Sequence, residues 1–592
     1  MTNQDDLFRF TTGPRTSRVV IVGEAWGANE AAQRKPFVGH SGMELNRMLA
    51  EAGMSRDACL CTNVIPSQPP GNAFPHFLHT NEEAKRGGTT DYADFFPKPE
   101  LSSSIRNLWS LLAAVSPDLV IGTGNIPLHI LTPHASTSTQ RGYKLPTGIT
   151  SWRGSQTYTR STTSDPKLAT RFPLPEKPYR YLPIIHPAAI LRDWGQRSPT
   201  VHDLRSRANR YLTGLTGWEA PPTNDIFRPS YDDVTRALNL WLAVVNTRPL
   251  WLSVDIETYA RTYISCIGLS DNELALCIPF FYFVDNRTRA YWTLEQEIEI
   301  WLRLRNLLEH PNVRVIGQNY IYDSIFLKRY AGINTLPAFD TMVAHHLLYP
   351  GTPMGLHYLA SLYCDHHLYW KDESEEWAAG ELSAEDLWRY NCKDLRKTFE
   401  CRNVLQQLID RKGYQEQFSW RMREWRLARK MALKGVNDDN ELRKQFRTDC
   451  IEQANILQEW LLNAVPKGWQ YAKSGKPWYA SNQMIMYILY DRLGLTPILH
   501  KKTKQPTADD EALETLIARK DTKYLKPLLQ HLQALRSLGV FDSHFLDIKL
   551  GPGGRLYTQF NIARPETFRW SSSANPLEEG TNLQNLPKVQ ED

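Results

Sequence analysis

The spacing of apolar and polar positions divides this chain of 592 residues into blocks. From residue 17 to 215, short apolar runs such as RVVIVGEAWG, DLVIGTG and YLPIIHP alternate with helix-like segments such as SSIRNLWSLLAAV. This alternation predicts an α/β domain with a parallel sheet. In a second α/β block, PLWLSVDIETY and SCIGLSD predict strands, and residues 294–309 and 321–331 predict helices.

Helical periodicity dominates from about 416 to 545, and the pattern after GPGGRLYTQF is strand-like again. Residues 136–180 are rich in Ser, Thr and Pro and predict long loops. Residues 216–230 carry three prolines and little apolar content, which predicts a linker. The domain boundaries that we expect are 1–215, 216–230, 231–415, 416–550 and 551–592.

Composition narrows the class of protein. A net charge of +5 permits a nucleic-acid partner without demonstrating one. The eight cysteines form no CxxC pair, which argues against a zinc ribbon or a disulfide framework and fits a reducing compartment. The N-terminal residues lack a signal pattern, and no apolar run is long enough to span a membrane. We therefore expect a soluble, cytoplasmic chain with no membrane partner.

The middle block carries spaced carboxylates. Asp255 and Glu257 follow the apolar run WLSV, and a strand would place both on one face. Asp323 begins a helical stretch, and Tyr390 and Asp394 would share one helix face. Singly, such pairs are usually solvated surface charges. Brought together, they would hold two Mg²⁺ or Mn²⁺ ions, which prefer hard oxygen ligands and can hydrolyse phosphodiesters.

The ordered set resembles the three motifs of proofreading 3′→5′ exonucleases. DxE lies in SVDIETY, Asn319-x-x-Tyr322-Asp323 in GQNYIYD, and YxxxD in YNCKD. The intervening FDTMVAHHLLYPG resembles the corresponding segment of family A DNA polymerases. This resemblance implies an RNase H-like fold, a DNA contact at Asn319 and a tyrosine, Tyr390, that positions water. It also implies metal ligation by Asp255, Glu257, Asp323 and Asp394.

The helical block resembles the family A polymerase thumb, through MREWRLARKMALKGVNDDNEL and the run HKKTKQPTADDEALETL. Lys501, Lys502 and Lys504 would then meet phosphates, although a solvated basic loop is the alternative. TFRWSSSANPLEEGTNLQNLP resembles the start of the palm, with Phe568 in place of a glycine. That resemblance implies primer–template contacts by Arg569, Ser572, Asn582 and Gln584.

Polymerisation needs palm carboxylates that hold metals and a fingers helix that binds the nucleotide. Neither is recognisable in the 592 residues. We therefore expect that this chain alone does not polymerise. It would be one part of a split polymerase whose second chain carries palm and fingers, or else a truncated product.

The N-terminal block resembles the uracil-DNA glycosylase superfamily, in its family-four type, through GEAWGANEAAQRKPFVG, LCTNVIPSQPP and YLPIIHPAAI. The resemblance implies an α/β/α sandwich and a pocket for a flipped base. Phe37 would stack on the base, Asn63 would read its polar edge, Glu24 or Glu30 would orient water, and His186 would stabilise the departing anion. Taken one at a time, each could instead be structural.

Two departures from that family bear on activity. Trp26 replaces a proline of the motif, and the four cysteines that would hold an iron–sulfur cluster are missing, so we expect no cluster. Cys59 and Cys61 alternate along a strand and are expected to pack in the core. The domain would be either an active glycosylase or one that only grips DNA or senses uracil.

The leading interpretation is the exonuclease and thumb subunit of a split family A polymerase for phage replication. It would act on primer–template and single-stranded 3′ ends in the host cytoplasm. One alternative is a stand-alone repair nuclease that combines uracil excision with 3′ trimming. The other is a DNA-binding scaffold whose glycosylase-like domain is inactive.

Overall fold

The structure is a computed structural model that describes residues 4–87, 91–134, 136–284, 287–371, 383–501 and 503–585. The chain divides into two compact units. One contains residues 1–259 and 263–422, and the other contains residues 260–262 and 423–592.

A mostly parallel five-stranded sheet forms the centre of the N-terminal domain. Its spatial order is β2-β1-β3-β5-β4, and β4 alone runs antiparallel to its neighbour. The strands are β1 (Val19–Ala25), β2 (Cys59–Ile65), β3 (Leu119–Thr123), β4 (Thr157–Tyr158) and β5 (Arg180–Ile184).

Both faces of this sheet are covered, because alternate residues of β1 enter different cores. Val20 and Val22 pack with Trp109 in one cluster, whereas Val19 and Ile21 pack in another. Burial on both faces explains why these strands are continuous apolar runs rather than alternating ones. The larger covering helices are Ala28–Gln33, His40–Glu51, Pro99–Val115, Asn125–Leu131 and Arg197–Asp203.

The segment 136–180, expected to be long loops, contains regular structure. A hairpin pairs Ser136–Gln140 with Tyr143–Thr147, and helix Ile149–Trp152 follows directly. The polar composition that favoured loops fits this hairpin because its strands are mostly half-buried or exposed.

The next domain is built on a six-stranded mixed sheet in the order β11-β10-β7-β8-β9-β6. Its strands are β6 (Asp225–Ile226), β7 (Leu250–Tyr259), β8 (Tyr263–Ser270), β9 (Ala275–Pro279), β10 (Val313–Gly317) and β11 (Pro337–Asp340). A separate hairpin pairs Phe281–Val284 with Arg287–Ala290. The helices include Tyr231–Val245, Leu294–Leu308, Ile321–Tyr330, Thr341–Leu348, Leu356–Tyr363 and Ala384–Lys412.

Helix Ala384–Lys412 is defined at both ends by its sequence. Ser383 and Asp386 form a capping box at the start, and Gly413 ends the helix in the left-handed conformation at φ 70°. The helix approaches β8 closely at Gly268, where a Cβ atom would lie 2.0 Å from Asn391 Oδ1. A glycine is therefore required for this helix to reach the sheet.

Residues 216–230 are packed at both ends. Trp218 is buried in the N-terminal domain, where its indole N–H donates to the Thr157 carbonyl at 3.1 Å. Asp225–Ile226 forms the edge strand β6 of the second sheet. The segment therefore contributes to both folds.

The second unit is mainly helical. Val436–Asn437 pairs antiparallel with Arg555–Leu556, so the two ends of its helical region lie together. Its core includes Leu461, Trp478 and Leu513. Its longer helices are Asn440–Asn463, Asp510–Ala518 and Lys526–Phe541, preceded by helix Gln415–Lys434, within which the unit begins. Within the described residues, no helix is both long enough and apolar enough to cross a membrane.

Candidate active sites

An acidic cluster forms where β7 meets the long helix. Oxygen atoms of Asp255, Glu257 and Asp394 all lie within 4.8 Å of one another. Asp255 and Glu257 alternate within β7 and so share a face, and Asp394 projects from helix Ala384–Lys412. Three carboxylates at this spacing form a donor set that fits a divalent cation such as Mg²⁺ or Mn²⁺.

Asp323 lies beside this cluster but has a different immediate partner. It is buried in helix Ile321–Tyr330, and its Oδ1 accepts a hydrogen bond from the Ile256 amide at 2.9 Å. Asp323 therefore contacts β7 midway between Asp255 and Glu257. The structure groups three of the four expected ligands closely, and holds the fourth against the strand that carries two of them.

Burial and mutual repulsion destabilise the ionised forms of the carboxylates in this cluster. Burial, followed by the nearby charge of Asp394, raises the pKa of Asp255 to about 7. Burial and the Asp255 charge also raise the pKa values of Glu257 and Asp323. Like charges in a desolvated site repel, so a bound cation would stabilise their ionised forms.

Two residues that the sequence analysis did not single out contact Asp394. The Trp370 indole N–H donates to Asp394 Oδ1 at 2.6 Å. The Lys371 ammonium contacts Asp394 Oδ2 and the Tyr390 hydroxyl. Tyr390 is thereby held beside the cluster, and its role in positioning water stays a prediction. No local sequence pattern indicates Trp370 or Lys371, because both contact a residue that is distant in the sequence.

A second site is a pocket of about 610 Å³ at the C-terminal ends of β1 and β2. The residues that the sequence analysis assigned to a base-binding pocket all line it, together with Trp26: Glu24, Glu30, Phe37, Asn63 and His186. The structure thus brings together side chains that are far apart in the sequence.

The pocket wall is closely packed around Gly23. A Cβ atom there would lie 2.5 Å from Asn63 Nδ2 and 2.8 Å from the Phe37 ring. Phe37 has φ 55°, which is strained for a bulky residue and is typical of functional sites. Asn63 Nδ2 donates to the Ala25 carbonyl at 3.3 Å, whereas its buried Oδ1 has no partner among the described residues. That oxygen is therefore available to accept a hydrogen bond from a ligand.

The two glutamates differ in what they contact. Glu30 Oε1 accepts from the Gly39 amide at 2.9 Å and so fixes the loop that carries Phe37. Burial raises the pKa of Glu24 to about 7, against the opposing effect of the Arg192 charge. Glu24 can therefore exchange a proton near neutral pH, which suits a general base.

His186 is neutral at physiological pH. Burial, followed by the Arg192 charge, lowers its pKa to about 4. Its Nδ1 accepts from the Ala188 amide at 3.1 Å, so the ring proton resides on Nε2. His186 is thereby set up to donate a hydrogen bond from Nε2.

Trp26 is buried, and its ring lies edge-on to Phe10 with centroids 5.3 Å apart. Its indole N–H has no partner among the described residues. Cys59 and Cys61 lie in the core on β2, where burial raises the pKa of their thiols to about 11 and about 12. Such thiols stay protonated and behave as packing residues.

The residues expected to contact DNA elsewhere have varied surroundings. Lys501 contacts the Glu511 carboxylate, Lys504 and Arg569 are exposed, and Lys502 lies outside the described residues. Phe568 adopts φ 59°, a backbone conformation that favours glycine. This explains why the palm motif that the segment resembles has a glycine at this position.

Other polar residues that were expected to contact DNA form hydrogen bonds within the chain. The Ser572 hydroxyl contacts Asn582, whose Oδ1 accepts from the Gln584 amide at 3.0 Å. Asn319 has φ 54°, and its amide donates to Asp340 Oδ1 at 3.3 Å.

Comparison with known proteins matches both of these domains to families. Residues 10–213 match the uracil DNA glycosylase superfamily, and residues 241–410 match the 3′-5′ exonuclease family of the DNA polymerase A group. The chain therefore carries a uracil-DNA glycosylase superfamily domain followed by a polymerase-type 3′→5′ exonuclease domain.

The individual relatives are DNA polymerases and uracil-DNA glycosylases. The chain is 23% identical to the DNA polymerase of Bacillus phage SP01, over 98% of this chain and 64% of that protein. It is 25% identical to DNA polymerase I of Borreliella burgdorferi, over 57% of this chain and 35% of that protein. It is also 40% identical to the type-4 uracil-DNA glycosylase of Archaeoglobus fulgidus, over 13% of this chain and 36% of that protein. The chain thus spans less than two thirds of both polymerases.

We expect the Glu24→Gln variant to be more stable than the wild type at high pH only. At pH 4.5 Glu24 is protonated in the folded state and half ionised in the unfolded state, so the two free energies of unfolding should differ by less than about 0.5 kcal/mol. As pH rises from 4.5 to about 7, the unfolded wild type loses the proton that the folded state retains. Above that range the variant should be more stable by about 1–3 kcal/mol, after allowance for partial exposure.

Urea denaturation at pH 4.5, 6 and 8 measures this difference. The matched control is Glu176→Gln, which alters an exposed glutamate of the same domain. A pH-independent difference between Glu24→Gln and wild type would show that Glu24 is not destabilised by burial.

Proposed function

We propose that the chain is the exonuclease and thumb part of a family A DNA polymerase used in phage DNA replication. It removes 3′-terminal nucleotides by two-metal hydrolysis. The observation that carries this proposal is the cluster of Asp255, Glu257 and Asp394 inside a domain that matches the exonuclease family. Similarity to a phage polymerase along nearly the whole chain supports the replication role and, with it, the host cytoplasm as the place of action.

The roles of the residues follow from their positions. Two divalent cations, when bound, activate the attacking water and stabilise the leaving 3′ oxygen. Asp255, Glu257 and Asp394 would hold them, with Asp323 alongside. The Tyr390 hydroxyl, beside Asp394, orients the attacking water.

Asp394→Asn should lower the rate of 3′ nucleotide release by at least about 100-fold, because outer-shell changes alone cost 10- to 100-fold and Asp394 is placed as a direct ligand. The assay follows release of labelled nucleotides from single-stranded DNA in Mg²⁺ or Mn²⁺. Asp232→Asn, at an exposed aspartate of the same domain, is the control. Unchanged cleavage by Asp394→Asn would contradict the assignment, and an inactive wild type would favour the DNA-binding scaffold.

We also propose that the N-terminal pocket binds and excises uracil. Uracil presents an N–H flanked by two carbonyl oxygens. The Asn63 amide offers to one side of that pattern an Nδ2 donor and an Oδ1 acceptor that has no partner among the described residues. The His186 Nε2–H would donate to the carbonyl on which the departing anion's charge develops, and ionised Glu24 would orient water.

Wild-type chain should create abasic sites in uracil-containing single- and double-stranded DNA, and Asn63→Ala should lose at least about 10-fold in rate, since a buried hydrogen-bond partner is removed. The rate should rise as pH increases through about 7, where Glu24 ionises. Asn107→Ala, at an exposed position on helix Pro99–Val115, is the control. Uracil-specific binding without abasic sites would instead support a sensing role.

Primer extension would require palm and fingers, which we propose are supplied by a second chain. Similarity of residues 416–592 to thumb and palm-entry motifs supports this requirement. Native purification from the source, with mass identification, should recover this chain with stoichiometric palm and fingers, and the complex should extend primers. Palm and fingers found on the same polypeptide would contradict the split. Recovery of a monomer with exonuclease activity alone would favour the repair nuclease.

A further inference from the structure

Residues 364–371, here named the anchor loop, follow helix Leu356–Tyr363 and lead to the exonuclease site. Trp370 and Lys371 at the end of this loop contact Asp394. The rest of the anchor loop has no regular secondary structure, so its backbone groups need partners from elsewhere in the fold.

The N-terminal domain supplies several of those partners. The Gln156 amide donates to the His367 carbonyl at 2.7 Å, and Gln156 Oε1 accepts from the His367 amide at 3.2 Å. The Ser155 hydroxyl accepts from the Tyr369 amide at 3.1 Å. Ser155, Gln156 and His367 are buried, so water cannot replace these bonds without opening the interface.

Two buried arginines contact the end of helix Leu356–Tyr363 and the first residue of the anchor loop. Arg207 Nη2 donates to the carbonyls of Ser361 at 3.0 Å and Cys364 at 2.7 Å. Arg153 Nη1 donates to the Ser361 hydroxyl at 3.0 Å, while its other nitrogens pair with Asp203 at 2.8 and 2.9 Å. Removing either arginine would leave desolvated acceptors unpaired, so this face is built for contact rather than for solvent.

The exonuclease domain contacts the anchor loop from its own side. The Lys397 ammonium donates to the His366 carbonyl at 3.0 Å, and Lys397 is one turn beyond Asp394 on the long helix. The loop is thus fixed between the N-terminal domain and the helix that bears the proposed metal ligand. The loop ends with the contacts of Trp370 and Lys371 to the two oxygens of the Asp394 carboxylate.

We propose that the N-terminal domain helps to orient a metal ligand of the exonuclease site. Ser155 and Gln156 fix the anchor loop, and Trp370 is a positioning residue that orients Asp394 for metal binding. The proposal rests on the proposed exonuclease function. Hydrogen bonds to a ligating carboxylate commonly change metal affinity by about 10- to 100-fold. Asp394 retains further lone pairs for a cation, because a carboxylate accepts about four hydrogen bonds or ligand bonds.

Trp370→Phe tests the last contact, because it keeps an aromatic ring and removes the indole N–H. Binding of Mn²⁺ to the full chain is measured by electron paramagnetic resonance, and Asp394→Asn identifies the signal of this site. We expect the Mn²⁺ dissociation constant to rise by about 10-fold or more. The matched control is Trp241→Phe, which removes an indole N–H bonded at 2.8 Å to Asp271, a carboxylate outside the cluster.

The double variant Ser155→Ala/Gln156→Ala tests the contribution of the other domain. Its expected effect is also a rise of about 10-fold in the Mn²⁺ dissociation constant, with a matching rise in the Mn²⁺ concentration that half-activates nucleotide release. Ser138→Ala/Gln140→Ala changes the same residue types in the hairpin of residues 136–147, where Ser138 is half-buried and Gln140 is exposed, and is the control. Thermal unfolding establishes that each variant is folded, and the single variant Ser155→Ala, which removes only the acceptor of the Tyr369 amide, replaces the double variant if the double variant does not fold.

The outcomes separate this proposal from the proposed function. If wild type binds Mn²⁺ and degrades 3′ ends, but Trp370→Phe and the folded double variant match its dissociation constant within twofold, the interface only stabilises the fold and the proposal is overturned. If Trp370→Phe raises the Mn²⁺ dissociation constant and the folded double variant does not, the proposed role of the N-terminal domain is overturned. If wild type itself binds no Mn²⁺ at this site, both the exonuclease assignment and this proposal fail.

Discussion

The exonuclease site depends on how closely one helix can approach one strand. Gly268 lies opposite Asp255 on the neighbouring strand, and any side chain there would meet Asn391 and Leu395. Because the glycine has none, Asn391 Nδ2 reaches Asp255 Oδ2 at 2.8 Å. The same close approach brings Tyr390 and Asp394 over the strand. Carboxylates separated by more than a hundred residues thereby become neighbours through a backbone contact rather than through their own attraction.

Their attraction could not have assembled them, since like charges repel and desolvation adds to the cost. Packing of the helix on the sheet opposes that repulsion, and the Lys371 ammonium offsets part of it. The N-terminal pocket meets a milder version of the same difficulty. There burial destabilises the ionised form of one carboxylate, Glu24, and protonation rather than a neighbouring cation relieves that cost. The pKa of Glu24 is raised for this reason. The two pockets are therefore suited to different chemistry, one to cations and one to proton transfer.

Local patterns predicted much of this arrangement. Two-residue alternation correctly placed Asp255 and Glu257 on one strand face, and a four-residue spacing placed Tyr390 and Asp394 on one helix. The assignment of catalytic roles to them remains a prediction. The hairpin at 136–147 was missed because its polar residues gave no apolar alternation. Trp370, Ser155 and Gln156 were missed for a deeper reason. Their contacts join residues far apart in sequence, and a single sequence carries no local signal for such pairs.

The same stretch of chain connects the two sites. Ile149 and Thr150 line the N-terminal pocket, and Arg153, Ser155 and Gln156, a few residues later, hold the exonuclease domain. Nearness alone does not couple the sites. A base in the pocket can influence Asp394 only if it favours one arrangement of residues 149–156 over another. Residues 152–156 of this stretch are buried, which argues for one arrangement, and a stretch with one arrangement provides constant support rather than a signal. The physical expectation is therefore an exonuclease that requires the N-terminal fold whether or not its pocket is filled.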